Sequence, residues 1–320
     1  MSVALLFPGQ GSQHIGMGKE LAQFHSGAAR VFKEADRILG FKLSEIMWEG
    51  SESELQQTKY AQPAIMIHSV ATFSAIEDLF EESLGCVQMA AGHSLGEFSA
   101  HVAAGSLSFA DAVQTVKKRA DLMQHACLEK RGTMAAIIGM GDEDVVSICQ
   151  GVGSARNQCV AANFNSPNQV VISGDQEAVK EAMELALELG AQRAVQLNVS
   201  GAFHSHLMEP ATDKFAEWIH SIEFRASNFP VVSNVTGKIS ESQIDGSNLL
   251  IKQLTSPVLW APSIKYMVQQ GITKFLEVGP GVILRGLNRR ITRDTMCKSA
   301  GTPKDFGSLA EFFAESPGKK

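Results

Sequence analysis

A serine at the apex of a sharp turn carries the strongest chemical signal in this chain. Ser94 lies in Gly92-His93-Ser94-Leu95-Gly96, a Gly-x-Ser-x-Gly pattern. Residues 87–91 lead in as an apolar strand and residues 97–104 lead out as a helix. A side chain at either glycine would crowd the bend. Such a turn pushes the hydroxyl outward and aims the Leu95 amide at whatever the serine attacks. The helix start also favours negative charge developing there. The pattern alone leaves a plainer reading open, an ordinary serine capping a strand-to-helix turn.

A serine nucleophile needs a base. Of nine histidines, His204 is the best placed, in Gly201-Ala202-Phe203-His204-Ser205 between an expected strand and an expected helix. Active-site groups converge at strand ends in parallel sheets. His206 would face away from it on a helix, and a metal pair of the two lacks an evident third ligand. No acid between Ser94 and His204 stands out, so a backbone carbonyl is expected to orient the ring in a Ser–His dyad. Pro8-Gly9-Gln10-Gly11-Ser12-Gln13 fails as a dinucleotide fingerprint, because His14 stands where a glycine is required. The other reading is a loop that brings the Gln10 amide to the same oxyanion as Leu95. Arg119 follows Lys117 and Lys118, which read as solvated charges. Arg119 either joins them or turns inward to hold a carboxylate through two parallel hydrogen bonds.

These groups must be positioned by a chain of 320 residues, 44% hydrophobic and 19% charged, with material for about two domains. A formal net charge of -6 argues against a nucleic-acid binder but allows a local basic patch for an acidic partner. Five cysteines without Cys-x-x-Cys spacing read as reduced thiols. The N-terminus lacks signal-peptide features, and no run approaches a membrane helix, so a cytoplasmic location is expected. Alternating strands (2–7, 87–91, 231–234, 274–278) and helices (17–24, 28–39, 62–80, 97–104, 109–124, 205–219) predict a mostly parallel sheet covered on both faces. The middle changes rhythm. Strands at 133–140, 158–163, 169–173 and 193–199 with helices at 143–150 and 175–189 give βαββαβ, a ferredoxin-like order. The expected architecture is therefore α/β. A large α/β-hydrolase-like domain, residues 1–129 and 198–320, carries a small inserted ferredoxin-like domain, residues 130–197. The tail, 300–320, is expected to be loose with a short helix at 309–314.

Taken together, these segments resemble the malonyl-CoA:acyl carrier protein transacylase family. The resemblance runs from Phe7-Pro8-Gly9-Gln10-Gly11-Ser12-Gln13 to Glu277-Val278-Gly279-Pro280-Gly281. Between them lie the Ser94 elbow with Glu97, Arg119 with Met123, Asn163-Phe164-Asn165-Ser166-Pro167, the His204 segment, and Gln253 ahead of Ser256-Pro257-Val258. The resemblance implies Ser94 as nucleophile, His204 as base, the Gln10 and Leu95 amides as oxyanion hole, and the Gln253 carbonyl as the group that orients His204. It implies that Arg119 binds a malonyl carboxylate and that Phe203 marks malonyl selection. Met123 and His93 would line the substrate site, with Asn163 and Asn165 along the pantetheine approach. Malonyl-CoA is then a substrate, acyl carrier protein a transient acidic partner, and no cofactor, metal, nucleic acid or membrane is implied. The competing readings are a serine thioesterase or esterase, a polyketide acyltransferase with another extender unit, and a non-catalytic carrier-binding relative.

Overall fold

The structure, a computed structural model, describes residues 2–153, 157–240 and 242–314. Its strands are β1 (Val3–Phe7), β2 (Val87–Gly92), β3 (Gly132–Ile138), β4 (Cys159–Ser166), β5 (Gln169–Asp175), β6 (Arg193–Gln196), β7 (Val231–Val232), β8 (Lys274–Val278) and β9 (Met296–Ala300). Five form a parallel sheet in the order β7-β2-β1-β8-β9. The other four form an antiparallel sheet in the order β4-β5-β3-β6.

The parallel sheet is buried on both faces, as the apolar run of β1 requires. Val3, Leu5 and Phe7 point into one core, with Met66, Phe73 and Phe98. Ala4 and Leu6 point into the other, with Trp260, Ile264 and Phe275. The helix Thr58–Phe80 is apolar nearly all round and lies in the interior. The antiparallel sheet divides its faces by the same alternation. Ala135 and Ile137 pack under the helices Asp142–Val152 and Gln176–Glu188 in a core of their own. Met134 and Ala136 join the larger core. The sheets are tied together where β4 meets the segment after Gln253. The Phe164 amide donates to the Val258 carbonyl at 2.9 Å, and the Val258 amide to the Ala162 carbonyl at 2.8 Å.

The elbow needs its glycines for space. A Cβ at Gly92 would lie 1.8 Å from the backbone carbon of Gly96, and one at Gly96 would lie 2.1 Å from the Phe7 carbonyl oxygen. Strand end, helix start and the end of β1 pass too closely for any side chain.

Several elements differ from expectation. The helix Thr58–Phe80 begins before 62 and runs through Pro63. Helices at Leu43–Glu49, Gln243–Lys252 and Trp260–Gln269 and the strand β9 were not foreseen. β9 lacks β-branched residues, so its pairing beside β8 is a tertiary effect. The tail is not loose where it is described. Phe306, Leu309, Phe312 and Phe313 are buried in the main core, because the helix Leu309–Ala314 turns its apolar side inward. Residues 315–320 lie outside the described residues.

Two predictions follow from these contacts. Gly96→Ala costs about 3 kcal/mol or more, since backbone must move to admit the methyl group, whereas Gly286→Ala stabilises. Gly286 sits inside the helix Ile283–Ile291 with nothing near its Cβ position, and the exchange gains about 1 kcal/mol, or about 2 °C in Tm. Thermal melts of both variants check the pair. The second concerns acid. His68, His101 and His204 are buried, and burial lowers them from 6.5 to about 4, about 4 and about 3. The unfolded chain therefore takes up protons first as pH falls below 6.5, and the stability these rings contribute above 6.5 is lost toward about 4. Glu97 and Glu277, raised by burial, act in the opposite sense, stabilising most below 4.5. Between 6.5 and about 4 these rings therefore pull Tm down on acidification. His68→Gln keeps a donor for the Gly301 carbonyl, which His68 Nε2 reaches at 2.9 Å, and the fall becomes smaller. An unchanged fall in that variant would contradict the buried neutral ring.

Candidate active site

Ser94 holds φ at 50°, a left-handed conformation costly for a non-glycine residue. Asn234, just beyond β7, supports it. Its Oδ1 accepts from the Ser94 amide at 2.6 Å, and its Nδ2 donates to the Gly92 carbonyl at 2.7 Å. One side-chain amide thus braces both sides of the elbow. Among the described residues, the amides of Leu95 and Gln10 donate to no protein acceptor. Leu95 is the N-cap of the helix Gly96–Ala103, where backbone N–H groups are free by geometry.

His204 also has a positive φ, 59°. Hydroxyls pin the backbone that leads into it. Ser173 Oγ donates to the Phe203 carbonyl and Ser205 Oγ to the Ala202 carbonyl, both at 2.7 Å. The ring Nε2 lies 2.8 Å from Ser94 Oγ. Nδ1 lies 2.8 Å from the Gln253 carbonyl oxygen and 3.2 Å from that of Ser256. Both are acceptors only, so Nδ1 carries the hydrogen and Nε2 presents its lone pair to the serine. Burial and the nearby Arg119 charge lower the ring to about 3. It is neutral at physiological pH and ready to accept a proton. The position was expected at a strand end of a parallel sheet. It is instead in a loop well past β6, which belongs to the antiparallel sheet, and a 3-10 turn His206–Met208 separates it from the helix Glu209–His220. His206 turns away to Asp175, 3.5 Å from its Oδ2.

Arg119 turns inward and is fully buried, while Lys117 pairs with Asp121. Arg119 Nη2 donates to Ser94 Oγ at 3.1 Å and to Gln253 Oε1 at 2.9 Å. Nη1 donates to Gln62 Oε1 at 2.7 Å. The face of Phe98 lies 5.6 Å away. Burial lowers the guanidinium to about 10, partly offset by the charge of Glu97, so it remains a cation.

A cavity of about 420 Å³ opens on these groups. Gln10, His93, Ser94, Met123, Asn163, Asn165, Phe203 and His204 all line it. Arg119, Leu95 and Gln253 stand behind the wall. His93 Nε2 meets Asn165 Oδ1 at 2.8 Å. Among the described residues, no group of three or more His, Cys, Asp or Glu is arranged to hold a metal ion. Residue types in sequence did not point to Gln62, Asn234 or Ser256. Gln62 lies on a helix that reads only as apolar core, and Asn234 lies in Asn234-Val235-Thr236, whose pattern matches a glycosylation acceptor and points to no catalytic role.

The acyl transferase domain family matches residues 4–313. A Bacillus subtilis malonyl CoA-acyl carrier protein transacylase is 46% identical over 291 residues, 91% of this chain and 90% of the relative. The crystal structure of an acyl-carrier-protein S-malonyltransferase from Bartonella henselae superposes with a TM-score of 0.94 at 38% identity, covering 98% of this chain and all of that one (100%). A malonyl-transacylase solved in complex with a type II PKS acyl-carrier protein gives 0.93 at 38% identity, covering 98% and 100%. With matches of this extent over a serine that a buried histidine and a buried arginine both contact, the chain belongs to the acyl transferase family, among the malonyl CoA-acyl carrier protein transacylases.

Proposed function

We propose that this protein transfers the malonyl group of malonyl-CoA to the phosphopantetheine thiol of acyl carrier protein through a malonyl-Ser94 intermediate, supplying extender units for fatty acid synthesis. One observation carries the reading. A buried guanidinium, that of Arg119, lies 3.1 Å from the same serine oxygen that the neutral His204 meets at 2.8 Å. A nucleophile, its base and a carboxylate-binding group converge on one point.

His204 Nε2 takes the Ser94 proton as the oxygen attacks the thioester carbon. The Gln10 and Leu95 amides receive the oxyanion, and losing one such donor costs about 3 kcal/mol, about a hundredfold in rate. The imidazolium, held by the Gln253 and Ser256 carbonyls, returns its proton to the departing CoA sulfur. The carrier's thiol then enters, gives its proton to His204 and attacks the acyl-serine; as the ester C–O bond breaks, His204 returns that proton to the Ser94 oxygen. Arg119 would hold the malonyl carboxylate through Nη1 and Nη2, exchanging its contact with Ser94 for the substrate's. Phe203 and Met123 would shape the wall beside the acyl group, His93 would lie beside the serine, and Asn163 and Asn165 would flank the pantetheine. The chemistry calls for no cofactor.

We read the chain as a discontinuous α/β-hydrolase-like domain, residues 1–129 and 198–320, with a ferredoxin-like domain inserted at 130–197. The order β4-β5-β3-β6, with two helices over one face and a separate core, supports that reading. No helix among the described residues is long and apolar enough to cross a membrane. We place the reaction in the cytoplasm, in keeping with five free cysteines. The relative solved with a type II PKS carrier favours a second reading, in which the acceptor is a polyketide carrier.

Mixing the protein with malonyl-CoA should add one malonyl group to its intact mass, and Ser94→Ala should show no adduct. Carrier protein should discharge the adduct to malonyl-carrier; release of free malonate at the same rate would indicate a hydrolase. Arg119→Ala should lower malonyl transfer about a hundredfold or more while acetyl transfer holds or rises, because only the charged acyl group loses its partner. Equal loss with both donors would reject that role.

A further inference from the structure

Glu97 takes no part in the steps above, yet it is 1% exposed and lies behind every group that does. Its Oε2 accepts from Gln253 Nε2 at 2.6 Å and from the Asn234 amide at 3.2 Å. Each donor holds a different part of the site. Asn234 Oδ1 fixes the Ser94 amide. The Gln253 carbonyl fixes His204, its Oε1 fixes Arg119, and its Nε2 also reaches the Ser94 carbonyl at 3.0 Å. Asn234 and Gln253 come from segments that are distant in sequence, and Glu97 is where they join.

We propose that Glu97 is a positioning residue for acyl transfer, a buried carboxylate that holds the serine elbow and the histidine base in one register through Asn234 and Gln253. It touches no reacting atom. The proposal rests on Ser94 and His204 acting as nucleophile and base, and not on which acyl group they move.

The carboxyl changes charge near neutrality. Burial raises it to about 7, against hydrogen bonds from Gln253, Asn234 and Ser233 and the charge of Arg119. Its ionised form accepts charge-assisted bonds and grips both partners harder. The other ionisable groups around it leave that range clear. Arg119, from the helix Phe109–Glu129, stays charged, and His101, one turn along Glu97's own helix, lies at about 4. His204 lies at about 3, His93 is lowered by burial, and His68 on the helix Thr58–Phe80 lies at about 4. That helix carries Glu77 and Asp78 only at its far end. β1, β2 and β7 bring no ionisable side chain.

The test reads the dyad without malonyl-CoA or carrier. An uncharged alkyl fluorophosphonate phosphonylates Ser94: the serine oxygen bonds to phosphorus, fluoride leaves, and His204 takes the proton. The maximal inactivation rate and the half-saturating probe concentration are measured from below to above pH 7 in the native protein, Glu97→Gln and Glu97→Ala. The native rate should rise about tenfold through pH 7, the difference between a neutral and a charge-assisted bond at one positioning contact. Glu97→Gln, an uncharged isostere, should stay flat at the native low-pH rate with half-saturation unchanged. Glu97→Ala should fall below both. A merely structural glutamate would change melting temperature but leave the shape of the profile alone. A native profile without a step, or a Glu97→Gln profile that keeps it, overturns the proposal. The native curve needs no variant to fold. A malonyl adduct on Ser94 together with a flat native profile sinks only this inference. A clear step without any malonyl adduct sinks only the malonyl reading.

Discussion

A guanidinium stripped of water, set against the oxygen of Ser94, is the constraint around which this site is built. Burying a cation is expensive unless its donors are satisfied. Here the acceptors of Arg119 are two glutamine amides and a hydroxyl. Neutral acceptors meet the Nη1 and Nη2 donors without cancelling the charge. The cation therefore remains available to a carboxylate, and it adds to burial, the larger cause, in keeping His204 from protonating. In the proposed function a single charge thus serves selectivity and keeps the base in its unprotonated form. A carboxylate paired directly to Arg119 would have weakened both.

The second requirement is that backbone, rather than a third ionisable side chain, aims the base. A carbonyl cannot take the proton from Nδ1, so the tautomer is fixed whatever the pH. The two carbonyls that do this belong to Gln253 and Ser256, immediately before the strand-like contact between Val258 and β4. The loop that orients His204 is therefore anchored in the small antiparallel sheet, and Ser94 in the parallel one. The seam between the two sheets, closed by Phe164 and Val258, sets the distance between serine and histidine. Asn163 and Asn165 lie on the same strand, so the cavity wall and the base are placed by one element.

Much of this was legible in the chain, and the reasons differ by element. The elbow could be read because its signal is local: two glycines, a strand before and a helix after. Both core faces of β1 could be read from an unbroken apolar run. The role of Arg119 was not legible from residue type, since a Lys-Lys-Arg run on a helix is usually solvated, and only tertiary packing separates Arg119 from its neighbours. Gln253 followed from resemblance alone, because a residue that acts through its carbonyl leaves no trace in its side-chain chemistry. Gln62 and Asn234 act across the fold, at separations of 57 and 140 residues from their partners, and nothing near them in sequence marks those contacts. The tail was misread because its polar residues obscured an apolar side made by Phe306, Leu309, Phe312 and Phe313. Those four side chains find a face of the main core that no local pattern announces.

The site concentrates features that elsewhere would be defects. Ser94 and His204 occupy left-handed backbone, Arg119 Nε is buried without a partner, and His204 is held far from its ordinary protonation. Each costs on the order of 1 to 3 kcal/mol, comparable together to the net stability of a domain. They are tolerable because each is braced by groups whose own positions are over-determined: Asn234 by the Gly92 carbonyl and Glu97, Phe203 by Ser173, Gln253 by four separate hydrogen-bonding partners. The large two-faced core supplies the surplus. Strain at the reacting atoms and rigidity behind them are thus two sides of one arrangement. Loosening the braces would relax the strain and, with it, the register between hydroxyl and imidazole that the chemistry needs.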